Sequence, residues 1–139
     1  MSNLKKGELE IDGVFIFPNC KLVDIKTKES SSKFKSIILD SHNESLRFLN
    51  APKLGSKYFN VRLSFKDNLI WGIDLKVNNP SINQWDYEEK LSQHGEWLTE
   101  QIGYPEGILS ENVFEWGKIT QWYDPRSSDA GISILYFQR

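Results

Sequence analysis

The stretch KYFNVRLSFKDNLIWGIDLKV, Lys57–Val77, decides the fold class. Phe59, Val61, Leu63 and Phe65 alternate with Tyr58, Asn60, Arg62 and Ser64, and a turn follows at Lys66-Asp67-Asn68. The second arm repeats the pattern: Leu69, Trp71, Ile73, Leu75 and Val77 share one side, with Ile70, Gly72, Asp74 and Lys76 on the other. A period of two marks a strand whose two sides meet different surroundings, so this segment reads as a hairpin with one covered face. The nine apolar side chains assigned to that face need a cover.

The next segment supplies one. Asn79-Pro80 announces a helix, Asn83 is placed to cap it, and acids fill the first turn, so a helix is expected over about 84–102. Tyr87, Leu91, His94, Leu98 and Ile102 fall on one stripe, Gly95 beside them allows close approach to a sheet, and Gly103 and Pro105 end the run. Glu89, Glu96 and Glu100 occupy the opposite side, with Trp85 one turn ahead of Glu89.

Val113–Phe137 reads as a second hairpin: a first arm Phe114–Tyr123, the loop Asp124–Gly131 and a closing strand Ile132–Phe137. Parity changes between Trp116 and Ile119, which predicts a bulge at Gly117. Towards the N-terminus, Glu8–Phe17 reads as one or two strands closed by Pro18-Asn19. Lys21–Thr27 and Phe34–Leu39 read as short strands separated by Ser30-Ser31-Ser32. The sum is a single α+β domain over residues 1–139: a mostly antiparallel sheet of about six strands, with the helix at about 84–102 packed on one face.

Composition narrows the function classes. A single cysteine, Cys20, excludes an internal disulfide and a cysteine-built zinc cage, and points to a reducing compartment. No run is long and apolar enough for a signal peptide or a membrane span, so a soluble cytoplasmic protein is expected. A net charge of −2 argues against general nucleic-acid binding, and no phosphate loop or dinucleotide fingerprint is present. The charge is segregated. Asp86–Glu115 holds eight acids and one base, Lys90, for a net of −7, while the other residues carry 16 bases and 11 acids, for +5. Segregation of this kind governs encounter and partner choice, and here favours a basic protein partner.

Two readings of the candidate residues follow. In the leading one, Trp85, Glu89, Glu96 and Glu100, with Glu106 in the following loop, form an acidic surface with an aromatic anchor that occludes a basic protein. In the alternative, a small-molecule site or hydrolase centre forms between helix and sheet, with His94 as acid or base and Glu115, Asp124 and Arg126 as polar contributors. Neither reading requires a cofactor or a metal: His42 lies in a polar turn far from His94, and Ser127 and Ser128 lack a nucleophile-elbow context. Among the other tryptophans, Trp97, Trp116 and Trp122 are assigned to a second small core under the C-terminal hairpin.

In general character, a small acidic domain rich in aromatic residues and without catalytic motifs, the chain resembles bacterial immunity proteins, which neutralise a toxin domain. The likeness is one of composition and carries no residue roles across. It implies a non-enzymatic inhibitor.

Overall fold

The computed structural model describes residues 2–28, 33–83, 85–103 and 111–137. A 3-10 turn at Leu4–Lys6 leads into the hairpin β1 (Leu9–Ile11) and β2 (Val14–Ile16), then helix α1 (Leu22–Lys28). Strands β3 (Phe34–Ile38), β4 (Asn43–Phe48), β5 (Lys53–Leu54), β6 (Lys57–Lys66) and β7 (Leu69–Val77) precede helix α2 (Tyr87–Ile102). The chain closes with β8 (Glu111–Phe114), β9 (Gly117–Asp124) and β10 (Asp129–Tyr136). The main sheet is ordered β3-β4-β6-β7-β10-β9-β8, antiparallel at each pairing, with β5 beside β6. The architecture is α+β as expected. Ten strands are described where about six are expected: β4 and β5 have no counterpart in the sequence reading, and the arm before the last loop is two strands.

The central hairpin turns on Asp67 and Asn68, both at positive φ, the left-handed pair that matches the twist of a two-residue β-turn. Its register slips by one residue after Ser64, which pairs with Gly72 while Phe65 pairs with Ile70. Trp71 is therefore the extra residue of a bulge. The slip turns Ile70 into the core and leaves Trp71 40% exposed, so Trp71 does not belong to the covered face that strict alternation assigned it. Phe59, Val61, Leu63, Phe65, Ile73 and Leu75 are buried there as the pattern demands.

Lys21–Thr27 is not a strand. Leu22 and Ile25, three residues apart, are both buried while Val23 between them is exposed, which is helical spacing. The helix start is fixed by tertiary contact: the Leu22 and Val23 N–H groups donate to the backbone carbonyl (3.0 Å) and side-chain Oδ1 (2.9 Å) of Asn68 in the central turn.

Gly117 is not a bulge but the first residue of β9 after the two-residue turn Glu115-Trp116, paired with Phe114 on one side and Tyr136 on the other. A Cβ at Gly117 would lie 2.0 Å from the Leu135 carbonyl oxygen, so only glycine lets the strands approach there.

Helix α2 lies across β7, β10 and β9, burying Leu91, His94, Trp97 and Leu98. Trp97, read from sequence as part of a satellite core, is in the main one: it packs on Phe59 at 5.0 Å and its Nε1–H donates to the Leu54 carbonyl at 2.9 Å. Trp116 stacks on Phe114 and donates to the Lys5 carbonyl, and Trp122 lies on the outer side of the sheet over Gly131. The three indoles thus serve three places, and no common second core gathers them. Close approach of α2 does not depend on Gly95, whose Cβ position meets its nearest neighbour, Gln121, at an ordinary 3.8 Å.

Candidate functional site

The start of α2 is built by a cap. Asp86, not Asn83, is the N-cap: its Oδ1 accepts from the Glu89 N–H at 3.0 Å, while Asn83 Oδ1 accepts from the Trp85 N–H and forms the preceding turn. Helix therefore begins at Tyr87 rather than near 84, and Gln84 lies outside the described residues. Tyr87 stacks almost parallel on Tyr123 of β9, with centroids 5.4 Å apart, which pins the first turn to the sheet. Trp85 then projects from the lip of the helix, 65% exposed, over a shallow depression of about 350 Å³ shared with Asn83, Asp86, Tyr87 and Glu88.

Charge around this indole is one-sided. Glu88 and Glu89 are exposed and complement the positive end of the helix dipole, and among the described residues neither is in an ion pair. Glu89 accepts only a 3.2 Å bond from Gln93. The single base of the segment, Lys90, is turned away onto the β9–β10 loop, where Nζ donates to the Ser128 carbonyl at 3.2 Å and lies 3.8 Å from Asp129.

The other sequence-selected acids are placed differently. Glu96 pairs with Lys57 at 2.8 Å, and Glu100 accepts from the Ser56 N–H at 3.1 Å, so both tie α2 to the β5–β6 turn. Glu106 lies outside the described residues. The surface around Trp85 thus keeps Glu89 from the sequence reading and adds Asp86 and Glu88. Asp86 three residues ahead of Glu89 has a capping-box spacing, a signal in the sequence for Asp86 rather than Asn83 as the cap.

The second residue set does not converge. His94 is fully buried on α2, its Nε2 accepting from the Val77 N–H at 2.9 Å. With Nε2 an acceptor, the neutral ring carries its proton on Nδ1, which is buried and unbonded among the described residues. Burial holds the His94 pKa down to about 4; the nearby Asp129 carboxylate pulls it up, and Lys90, Lys57 and Lys76 push it further down. Asp124 and Arg126 sit at the β9–β10 loop, 3.7 Å apart, with Arg126 almost fully exposed. Glu115 lies beyond the opposite end of β9, roughly 25 Å away by strand rise. There it lines a cleft of about 360 Å³ with Lys5, Lys6, Trp116 and Phe137.

Among the described residues no group of three or more His, Cys, Asp or Glu side chains could hold a metal ion, and no helix is long and apolar enough to cross a membrane. No family model matches the chain, and no solved structure does. The chain is similar to a cysteine–tRNA ligase of Campylobacter fetus subsp. fetus (strain 82-40), 26% identical over 139 residues, which is all of this chain and 26% of that protein's length.

Proposed function

We propose that this domain is a non-enzymatic protein-binding module that occludes a basic partner, in the manner of an immunity protein on its toxin domain, and that the start of α2 is the contact surface. The observation that carries this reading is Trp85: a large aromatic side chain held 65% exposed by a capped helix end, beside Asp86, Glu88 and Glu89, with the only base of the segment turned away. An exposed indole amid carboxylates supplies contact area at the centre and orientation at the rim. The −7 segment would steer a cationic surface into place, so association should slow as salt rises, while the indole would govern dissociation.

Glu96 and Glu100 are poor probes because each also braces the fold. The informative variants are Glu88→Lys with Glu89→Lys, and Trp85→Ala. The intact domain, immobilised and exposed to lysate of its own host at low and moderate salt, should retain one basic protein that is lost with added salt and with either variant. Retention of no protein, or retention that both variants leave unchanged, would refute this surface. Retention of tRNA in place of protein would favour a role related to the ligase that the chain is similar to.

A further inference from the structure

The side of the main sheet away from α2 is a second, chemically different surface. Its residues come from alternate positions: Lys35 on β3, Arg47 on β4, Tyr58, Asn60 and Arg62 on β6, Asp74 and Lys76 on β7, and Trp122 on β9. None of the described helices covers it, and Lys35, Arg47, Tyr58, Asn60 and Arg62 are exposed.

Strand register creates a feature there that chain order does not show. Lys35 lies opposite Arg47, Arg47 opposite Arg62, and Arg62 opposite Asp74, so three cations stand side by side on neighbouring strands. At a strand spacing of about 4.8 Å the row is roughly 10 Å long. Directly opposed like charges disfavour the pairing, and a single acid answers them: Asp74 bonds Arg62 at 2.9 Å. Among the described residues neither Lys35 nor Arg47 has a carboxylate partner. An anion laid along the row would relieve this repulsion.

Aromatic side chains lie beyond the Arg62 end of the row. Trp122 lies flat over Gly131, where a Cβ would meet the ring at 2.5 Å, and Lys76 Nζ sits 5.5 Å from the ring centroid. This indole, Arg47, Arg62 and Lys76 line one cleft of about 530 Å³. Arg62 also borders a smaller cleft of about 120 Å³, whose wall is the bulge residue Trp71. Across the strands the order is Lys35, Arg47 and Arg62 on β3, β4 and β6, then Trp71 on β7 and Trp122 on β9.

We infer that this face binds a single-stranded polynucleotide, with phosphates along Lys35, Arg47 and Arg62 and bases stacked at Trp122 and Trp71. Cations that track a backbone, interleaved with rings that accept any base, are the two requirements of such a site. An open sheet suits splayed bases, whereas reading a duplex groove needs a protruding helix or ribbon. An acidic peptide would satisfy the cations but has no planar group for the indoles. The overall charge of −2 does not oppose this, because Asp86, Glu88, Glu89, Glu96 and Glu100 lie at α2, on the other side of the sheet.

The test titrates the full chain into fluorescein-labelled oligouridylate and oligothymidylate of about twelve nucleotides, read by anisotropy at about 50 and 200 mM salt. Three phosphate contacts predict affinity roughly 20-fold weaker at the higher salt. Lys35→Ala with Arg47→Ala should weaken binding and flatten that dependence; both side chains are exposed and, among the described residues, without a carboxylate partner, so folding should be retained, and Arg47→Lys should bind nearly as wild type. Trp122→Leu should weaken binding about five-fold or more at both salts. The comparison of RNA with DNA shows whether the sugar matters. Absence of binding at low salt, unchanged binding by the Lys35/Arg47 double variant, or displacement of the oligonucleotide by polyglutamate at equal charge concentration would each overturn the inference.

Discussion

Replacing His94 with glutamine should abolish a pH dependence of stability that the wild-type domain shows between pH 7 and pH 5. The imidazole is fully buried, and its pKa falls from 6.5 to about 4 on folding. Between those values the unfolded chain binds a proton that the folded chain refuses, so stability is complete above pH 6.5 and is lost as pH falls towards 4. Between pH 7 and pH 5 the loss is about 2 kcal/mol, equivalent to a fall of about 1 M in the urea midpoint. Asp40, Glu44 and Asp129 also have lowered values. For Asp40 the cause is the His42 and Asn43 N–H groups; for Glu44 and Asp129 burial pulls upward but hydrogen bonds, led by Lys26 and Lys76 respectively, outweigh it. Their ordinary values are 3.8 and 4.5, so their contributions are lost below the chosen window. Glutamine retains an acceptor for the Val77 N–H and cannot titrate. Urea unfolding of both proteins at pH 5 and pH 7 isolates the effect as a difference of differences, which cancels any packing change beside Phe59. A wild-type loss below about 0.5 kcal/mol, or an equal loss in the variant, would refute the account of a neutral, buried imidazole.

Other consequences of the geometry are as direct. Asp86→Ala removes the side-chain acceptor for the Glu89 N–H and should cost about 1 kcal/mol in denaturant unfolding, whereas Asn83→Ala should cost less. Gly117→Ala drives a methyl group into the Leu135 carbonyl oxygen and should lower stability by about 3 kcal/mol or more, measured by thermal unfolding. Glu96→Gln, at a pair whose carboxylate is 63% exposed, should change stability by less than about 1 kcal/mol.

What could be read from the sequence divides by the range of the cause. The covered face of β6 and the buried stripe of α2 follow from local periodicity, and both were legible. The strand reading of Lys21–Thr27 failed because the start of α1 is held by Asn68, more than forty residues away, and pattern within the segment does not include that acceptor. Trp71 was misplaced by a single-residue slip that reverses parity without changing composition. The first arm of the last hairpin hides two strands because a two-residue turn at Glu115-Trp116 leaves no polar gap. At the candidate surface, exposed Trp85 and Glu89 were within reach of the sequence. The bonds of Glu96 and Glu100 were not, since Lys57 and Ser56 are remote in the chain. The cation row on the opposite face depends on register across three strands and has no local signature at all.

The order of strands also has a bearing on how the domain assembles. From β3 to β7 and from β8 to β10 the chain advances by hairpins between near neighbours, and among the strand pairings described in the main sheet only β7–β10 joins distant segments. Within the main sheet, the largest loop-closure entropy is therefore spent at that seam. Helix α2 clasps that seam, bonding Leu54 and Val77 on one side through Trp97 and His94, and Gln121 on the other through the Leu91 carbonyl. The domain is two meanders closed by one buckle, so amide exchange should resolve two cooperative units whose coupling is the docking of α2.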